Sequence, residues 1–165
     1  MAPTTPPPGS FQLPLIYRIF FLFFEPACAI LGAYGAHVQS ELYLSMMHPA
    51  SASSPLPTGT TMAMSQLANM YLFFGLNEAF VLRSTADLRI WRTVIGGMLV
   101  ADLGHLYSCL PLGTHIYYSG WGTNFMNWGN IPFVYLGAAI RIAFLLGIGL
   151  GGKKAVAGGS TKKTG

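Results

Sequence analysis

The chain has 165 residues, 52% of them hydrophobic and only 8% charged, with a formal net charge of +4. A soluble domain carries about 25% charged residues, so the composition excludes an ordinary water-soluble fold, and no basic patch of the kind that binds nucleic acid is present. Four apolar stretches, 13–38, 62–83, 88–112 and 131–150, each have the roughly 20 residues that cross a bilayer as a helix.

The expected fold is all-α: a polytopic membrane protein, a four-transmembrane-helix bundle over 13–150, with a disordered Pro-rich leader (1–12) and a flexible basic tail (151–165). The first stretch opens with Pro14, harmless in a first helical turn. It is too long for a cleavable signal peptide, has Glu25 at its centre and lacks a basic n-region. Pro26 follows Glu25 directly, so a kink and a freed carbonyl one turn earlier, around Leu22, are expected. Ala29, Gly32 and Ala36 then form a small-residue strip that permits close helix approach. The connection 39–61, with its Ser-Ala-Ser-Ser-Pro-Leu-Pro-Thr-Gly run, reads as irregular, with Glu41 and His48 solvated.

In the second stretch Gln66, Asn69, Phe73 and Asn77 lie close to one stripe, and Tyr71, Phe74 and Glu78 on an adjacent one. Arg83, Asp87, Arg89 and Arg92 form a tight turn, read as membrane anchoring with local ion pairs. The third stretch carries Gly96-Gly97, a candidate close-packing point, then Asp102 and His105 at i, i+3 on one face. The connection 113–130 is rich in aromatic residues and Asn. Tyr117, Tyr118, Trp121 and Trp128 suit either an interfacial belt or a partly re-entrant cap over a cavity. In the fourth stretch Gly137 stands one turn before Arg141. Cys28 and Cys109 fall inside stretches and are read as packing residues rather than a disulfide.

Lys and Arg set the topology. Arg18, Arg83, Arg89, Arg92, Lys153, Lys154, Lys162 and Lys163 fall on one face of a four-span chain, while 39–61 and 113–130 contain no Lys or Arg. The positive-inside rule then places both termini in the cytosol. Lys162 and Lys163, fourth and third from the C-terminus, resemble a di-lysine retrieval signal, which gives an expected location in the endoplasmic reticulum membrane.

Five ionisable groups lie within the apolar stretches: Glu25, Glu78, Asp102, His105 and Arg141. Such groups cost several kcal/mol at mid-bilayer on lenient scales, so they face the bundle interior and pair. Arg141 is the lone intramembrane cation, and Glu25, Glu78 or Asp102 is its expected partner, with Asn77 a further hydrogen-bonding group. The surplus carboxyls fit a neutral acid beside an ionised one, the arrangement used for proton transfer, and Asp102 with His105 fits a coupled acid/base pair.

The candidate catalytic residues are therefore Glu25, Glu78, Asp102 and His105, and the candidate substrate-binding residues Asn69, Tyr71, Phe73, Asn77, Trp128 and Arg141. Phe73, Phe74, Tyr71 and Trp128 would stabilise cationic character. No metal site is expected, because Asp102 and His105 supply only two ligands, and no cofactor is implied. The expected partners are membrane lipids and a hydrophobic small molecule, the chemistry an acid–base isomerisation or cyclisation of an isoprenoid-like substrate. The alternative is a non-catalytic scaffold or lipid-binding subunit whose buried charges lock helices together. Ion or proton conduction is a third reading, for which four short spans leave little room.

The strings Phe23-Phe24-Glu25-Pro26, Leu76-Asn77-Glu78-Ala79, Asp87-Leu88-Arg89, Asp102-Leu103-Gly104-His105 and Trp128-Gly129-Asn130 resemble a family of small fungal integral membrane proteins known as a domain of unknown function. The resemblance spans roughly 13–150 and implies a fungal source and four spans, with no activity attached. In layout alone the chain is also similar to sterol-isomerase-like proteins and to membrane-bound meroterpenoid cyclases, compact bundles whose intramembrane acids act on lipophilic substrates; this likeness is one of fold.

Overall fold

The computed structural model describes residues 13–119 and 124–150. Among these residues the chain is all-α, with no strand. Helix α1 spans Leu15–Val38, α2 Ser40–Met47, α3 Thr58–Leu76, α4 Leu88–Ser108, α5 Phe125–Asn130 and α6 Pro132–Leu145. Three helical runs, Leu15–Val38, Leu88–Leu112 and Phe125–Leu145, are long and apolar enough to cross a membrane. Helix α3 has 19 residues but is less apolar, because Ser65, Gln66 and Asn69 dilute it.

Side-chain contacts sort the two ends of the bundle. At one end the Tyr17 hydroxyl donates to the Ile148 carbonyl (2.7 Å), so the start of α1 meets the segment after α6. At the other, Asn124 Nδ2 donates to the Met46 carbonyl (3.0 Å) and the Tyr117 hydroxyl to the Leu106 carbonyl (2.5 Å). The α3–α4 turn belongs to the first end: Arg83 donates to the Leu22 carbonyl, with its guanidinium 4.4 Å from the centre of the Phe23 ring.

That contact resolves the backbone problem set by Pro26. A π turn over Phe20–Phe24 precedes it, and the carbonyl that Pro26 cannot serve is taken by Arg83 from the neighbouring helix. The expected local ion pairs of the α3–α4 turn do not form among the described residues, where every salt bridge belongs to Arg141. Arg83 binds a carbonyl instead, and Asp87 caps α4 by accepting from the Arg89 N–H (2.8 Å).

Helices α1 and α3 pack along the predicted small-residue strip. A Cβ added to Gly32 would touch Tyr71 at 3.4 Å, and one added to Gly75 would meet Ala29 at 3.3 Å. The expected close packing at Gly96-Gly97 is not found: nothing lies within 4 Å of a Cβ at either position, because the core-facing stripe of α4 runs instead through Trp91, Ile95 and Met98. The segment expected to be irregular after α1 contains α2, held down by Tyr43 in the apolar cluster of Ala36, Met64 and Ala68, while Glu41 and His48 are exposed as expected. A second apolar cluster at the opposite end joins Tyr17, Phe21, Leu82, Trp91, Ile95 and Phe144. The fourth predicted stretch begins earlier than expected, since α5 leads into α6 through Ile131. The leader, the tail with Lys162 and Lys163, and Trp121 lie outside the described residues. Cys28 and Cys109 are free thiols.

Candidate functional site

Between the two apolar clusters, all four long helices contribute one charged side chain to a single point. Arg141 of α6 is 2% exposed and donates Nη1 to Asp102 Oδ2 of α4 at 2.7 Å and Nη2 to Glu25 Oε1 of α1. Glu78 Oε1 stands 3.9 Å from the same Nη2, beyond hydrogen-bonding distance. The predicted partners of Arg141 are thus combined: two bonded, one adjacent. Gly137 makes room for this, since a Cβ there would sit 2.6 Å from Arg141 Nη1.

Glu78 is the unusual member. It is 0% exposed, and no N–H donor reaches either of its carboxyl oxygens, whose neighbours are Arg141 Nη2 and the Glu25 carboxyl; Glu25 Oε2 and Arg141 Nε likewise have no conventional hydrogen-bond partner. Buried polar groups in native proteins are nearly always satisfied, and a catalytic role is one of the reasons for an exception. Three carboxyls around one guanidinium also exceed its charge by two if all are ionised, so a buried cluster of this make-up reaches neutrality only by holding protons.

Both glutamates sit at irregular backbone. Glu25 directly follows the π turn of α1, and Glu78 lies within a second π turn, Asn77–Val81, that extends α3. Single π turns inside helices are frequent at functional sites. Here they set the two carboxyls against one guanidinium nitrogen, a register that regular helices with these sequences would not give.

The cluster forms one wall of a cavity of about 610 Å³ that extends to Gln39, Tyr43 and Met46. Of the predicted residues, Glu25, Glu78, Asp102, His105, Tyr71, Trp128 and Arg141 line it, as do Phe74 and Phe133, whereas Asn69, Phe73 and Asn77 do not. Asn69 and Phe73 are exposed on the outer side of α3, and Asn77 donates back to the Phe73 carbonyl of its own helix (2.8 Å). The two stripes read on the second stretch are therefore separated: Tyr71, Phe74 and Glu78 face inward.

His105 does not join Asp102. Its Nε2 binds the Asn130 carbonyl at 3.1 Å and its other near neighbour is Cys109 Sγ at 3.9 Å, while Asp102 is held by Arg141. The expected acid/base pair is replaced by two separate links, because α5 brings an unpaired carbonyl to His105 and α6 brings the cation to Asp102. Among the described residues no group of His, Cys, Asp and Glu is placed to hold a metal ion.

Three participants were not singled out from the sequence: Tyr43, whose hydroxyl pairs with that of Tyr71 at 2.9 Å; Asn130, which is 5% exposed; and Phe133, which lines the cavity. Burial, with Tyr71 alongside, pushes the Tyr43 phenol well above its usual range and keeps it neutral. The Asn-rich loop and the Tyr in α2 were the available signals.

The chain belongs to the family described as Domain of unknown function (DUF7704), whose profile matches residues 10–151. No curated protein and no solved structure matches the chain.

Proposed function

We propose that this member of the DUF7704 family is a four-span membrane protein with both termini in the cytosol, whose buried acids act on a hydrophobic small molecule by acid–base isomerisation or cyclisation of an isoprenoid-like substrate. The observation that carries the reading is Glu78, wholly buried in the cavity wall beside the Glu25 carboxyl, with no N–H donor on either oxygen. In its carboxylic acid form Glu78 donates a proton to a carbon–carbon double bond, leaving a carbocation and the Glu78 carboxylate. Phe74, Tyr71, Phe133 and Trp128 line the same space and offer ring faces to that cation. Loss of a proton from a neighbouring carbon to a carboxylate of the cluster restores a double bond at a new position, so the reaction balances without a co-reactant. Arg141 holds Glu25 and Asp102 in place throughout.

The topology rests on the absence of Lys and Arg from 39–61 and 113–130 and on the sorting of Arg18, Arg83, Arg89 and Arg92 to one end. Residence in the endoplasmic reticulum rests on Lys162 and Lys163, and a fungal source on the resemblance of the sequence motifs. A second reading is favoured by one observation: Arg141 ties α1, α4 and α6 together, as a structural lock in a scaffold would.

One experiment separates the two. The protein is expressed alone, and its co-purifying lipophilic compounds are compared by mass spectrometry with those of Glu25→Gln, Glu78→Gln and Asp102→Asn. A folded variant with a changed compound profile supports chemistry in the cavity. Variants that all remain folded with an unchanged profile overturn the proposal, and variants that all fail to fold favour the lock.

A further inference from the structure

The cavity has a shape and a charge that restrict what it can hold. Glu25 and Gln39 both line it, and a helix rises about 1.5 Å per residue, so it extends about 20 Å along α1. Its volume is about 610 Å³.

The long side of the cavity has rims rather than a wall. Beyond Glu25, α1 packs along α3, and α5 packs on α2 and α6. Leu31 and Tyr34 of α1 and Phe125 and Trp128 of α5 line the cavity yet remain 66%, 54%, 76% and 46% exposed. These exposed apolar rims form a slot between α1 and α5 whose surface suits hydrocarbon better than water.

Charge narrows the ligand further. Among the described residues the only Lys or Arg in the lining is Arg141, and both of its terminal nitrogens are committed to carboxylates. The loops at the Tyr43 end bring no Lys or Arg. A phosphate or diphosphate would meet three carboxyls and no free cation, at a large desolvation cost. What the upper part offers is the Tyr43–Tyr71 hydroxyl pair: one phenol donates to the other, which leaves one O–H to give to a ligand oxygen.

We infer that the cavity takes an uncharged lipid with a polar oxygen, a prenyl alcohol or its carbonyl counterpart, which enters sideways from the bilayer through the slot between α1 and α5. This rests on the pocket reading proposed above and adds the charge state and route of the ligand.

The test uses the full-length protein in nanodiscs with a photoreactive farnesol analogue and the matching photoreactive farnesyl diphosphate, and maps the label by mass spectrometry. The alcohol is expected to label α1 and α5 at the rims and to be competed by unlabelled farnesol about tenfold more effectively than by the diphosphate, a difference of about 1.4 kcal/mol. Gly129→Leu, placed where a Cβ meets open space in the cavity lining, should abolish rim labelling while the variant stays folded. The double variant Tyr43→Phe, Tyr71→Phe should weaken it several-fold. Equal labelling or competition by the diphosphate would overturn the charge inference and leave the pocket reading intact. Alcohol labelling spread over outer helix faces and unchanged in Gly129→Leu would overturn both.

Discussion

Replacing Arg141 with Leu removes the only buried cation from a cluster that contains three carboxyls. Arg141 bonds Glu25 and Asp102 directly, while Glu78 stands off at 3.9 Å, so the substitution strands two acceptors at once. Breaking a buried pair by deleting one partner costs roughly 3–5 kcal/mol, a large fraction of the ~5–15 kcal/mol that holds a typical domain together. The same reasoning fixes the order of rescue. Adding Glu25→Gln and Asp102→Asn removes the charges that Arg141 compensated, and an uncharged cluster of similar volume is often as stable as the buried pair it replaces. The triple variant should recover most of the loss, and Glu78→Gln in the Arg141→Leu background should recover less than either bonded partner. Equilibrium unfolding of the purified protein in mild detergent micelles reads each variant, and coupling between residues in one network is expected at about 0.5–3 kcal/mol. A triple variant no more stable than Arg141→Leu alone would refute the assignment of Glu25 and Asp102 as the compensated charges.

Other expectations follow from single contacts. Gly137→Ala should displace Arg141 Nη1, which lies 2.6 Å from the added Cβ, and cost less than Arg141→Leu because Nη2 can keep Glu25; the same unfolding assay measures both. Gly75→Leu should destabilise by about 1–3 kcal/mol through overpacking against Ala29 and the Pro26 carbonyl, whereas Gly97→Leu, facing open space, should stay within about 0.5 kcal/mol of wild type. Arg83→Met strands the Leu22 carbonyl and should cost about 1–3 kcal/mol, read as a lowered unfolding midpoint. A cysteine at Thr58 should react only with a membrane-impermeant probe applied from the non-cytosolic side, and labelling from the cytosol alone would refute the proposed topology.

Much of the site was legible because helices this apolar leave few ways to hide charge. Five ionisable groups in apolar stretches had to converge, and Glu25, Glu78, Asp102 and Arg141 do. Periodicity also resolved two stripes on α3 without marking which of them faces inward, and Pro26 announced the carbonyl that Arg83 serves. What periodicity could not give was register. Two π turns, at Phe20–Phe24 and Asn77–Val81, shift Glu25 and Glu78 relative to a regular helix, and no residue pattern marks a π turn in advance. Long-range backbone acceptors were equally hidden: the Asn130 carbonyl that draws His105 away from Asp102 comes from α5, a helix that reads as loop because Asn and Gly break its apolar run. Asn69, Phe73 and Asn77 share the polarity or aromaticity of a ligand site but fall on the wrong side of α3, a distinction that only the packing of α1 on Gly75 decides.

Native mass spectrometry of the protein released from detergent micelles tests most directly whether a lipophile occupies the cavity against Glu78. A one-to-one adduct of an uncharged compound is expected in the wild type, lost in Gly129→Leu and changed in mass or occupancy in Glu78→Gln. A wild type that flies bare, with the same spectrum as Gly129→Leu, would contradict it.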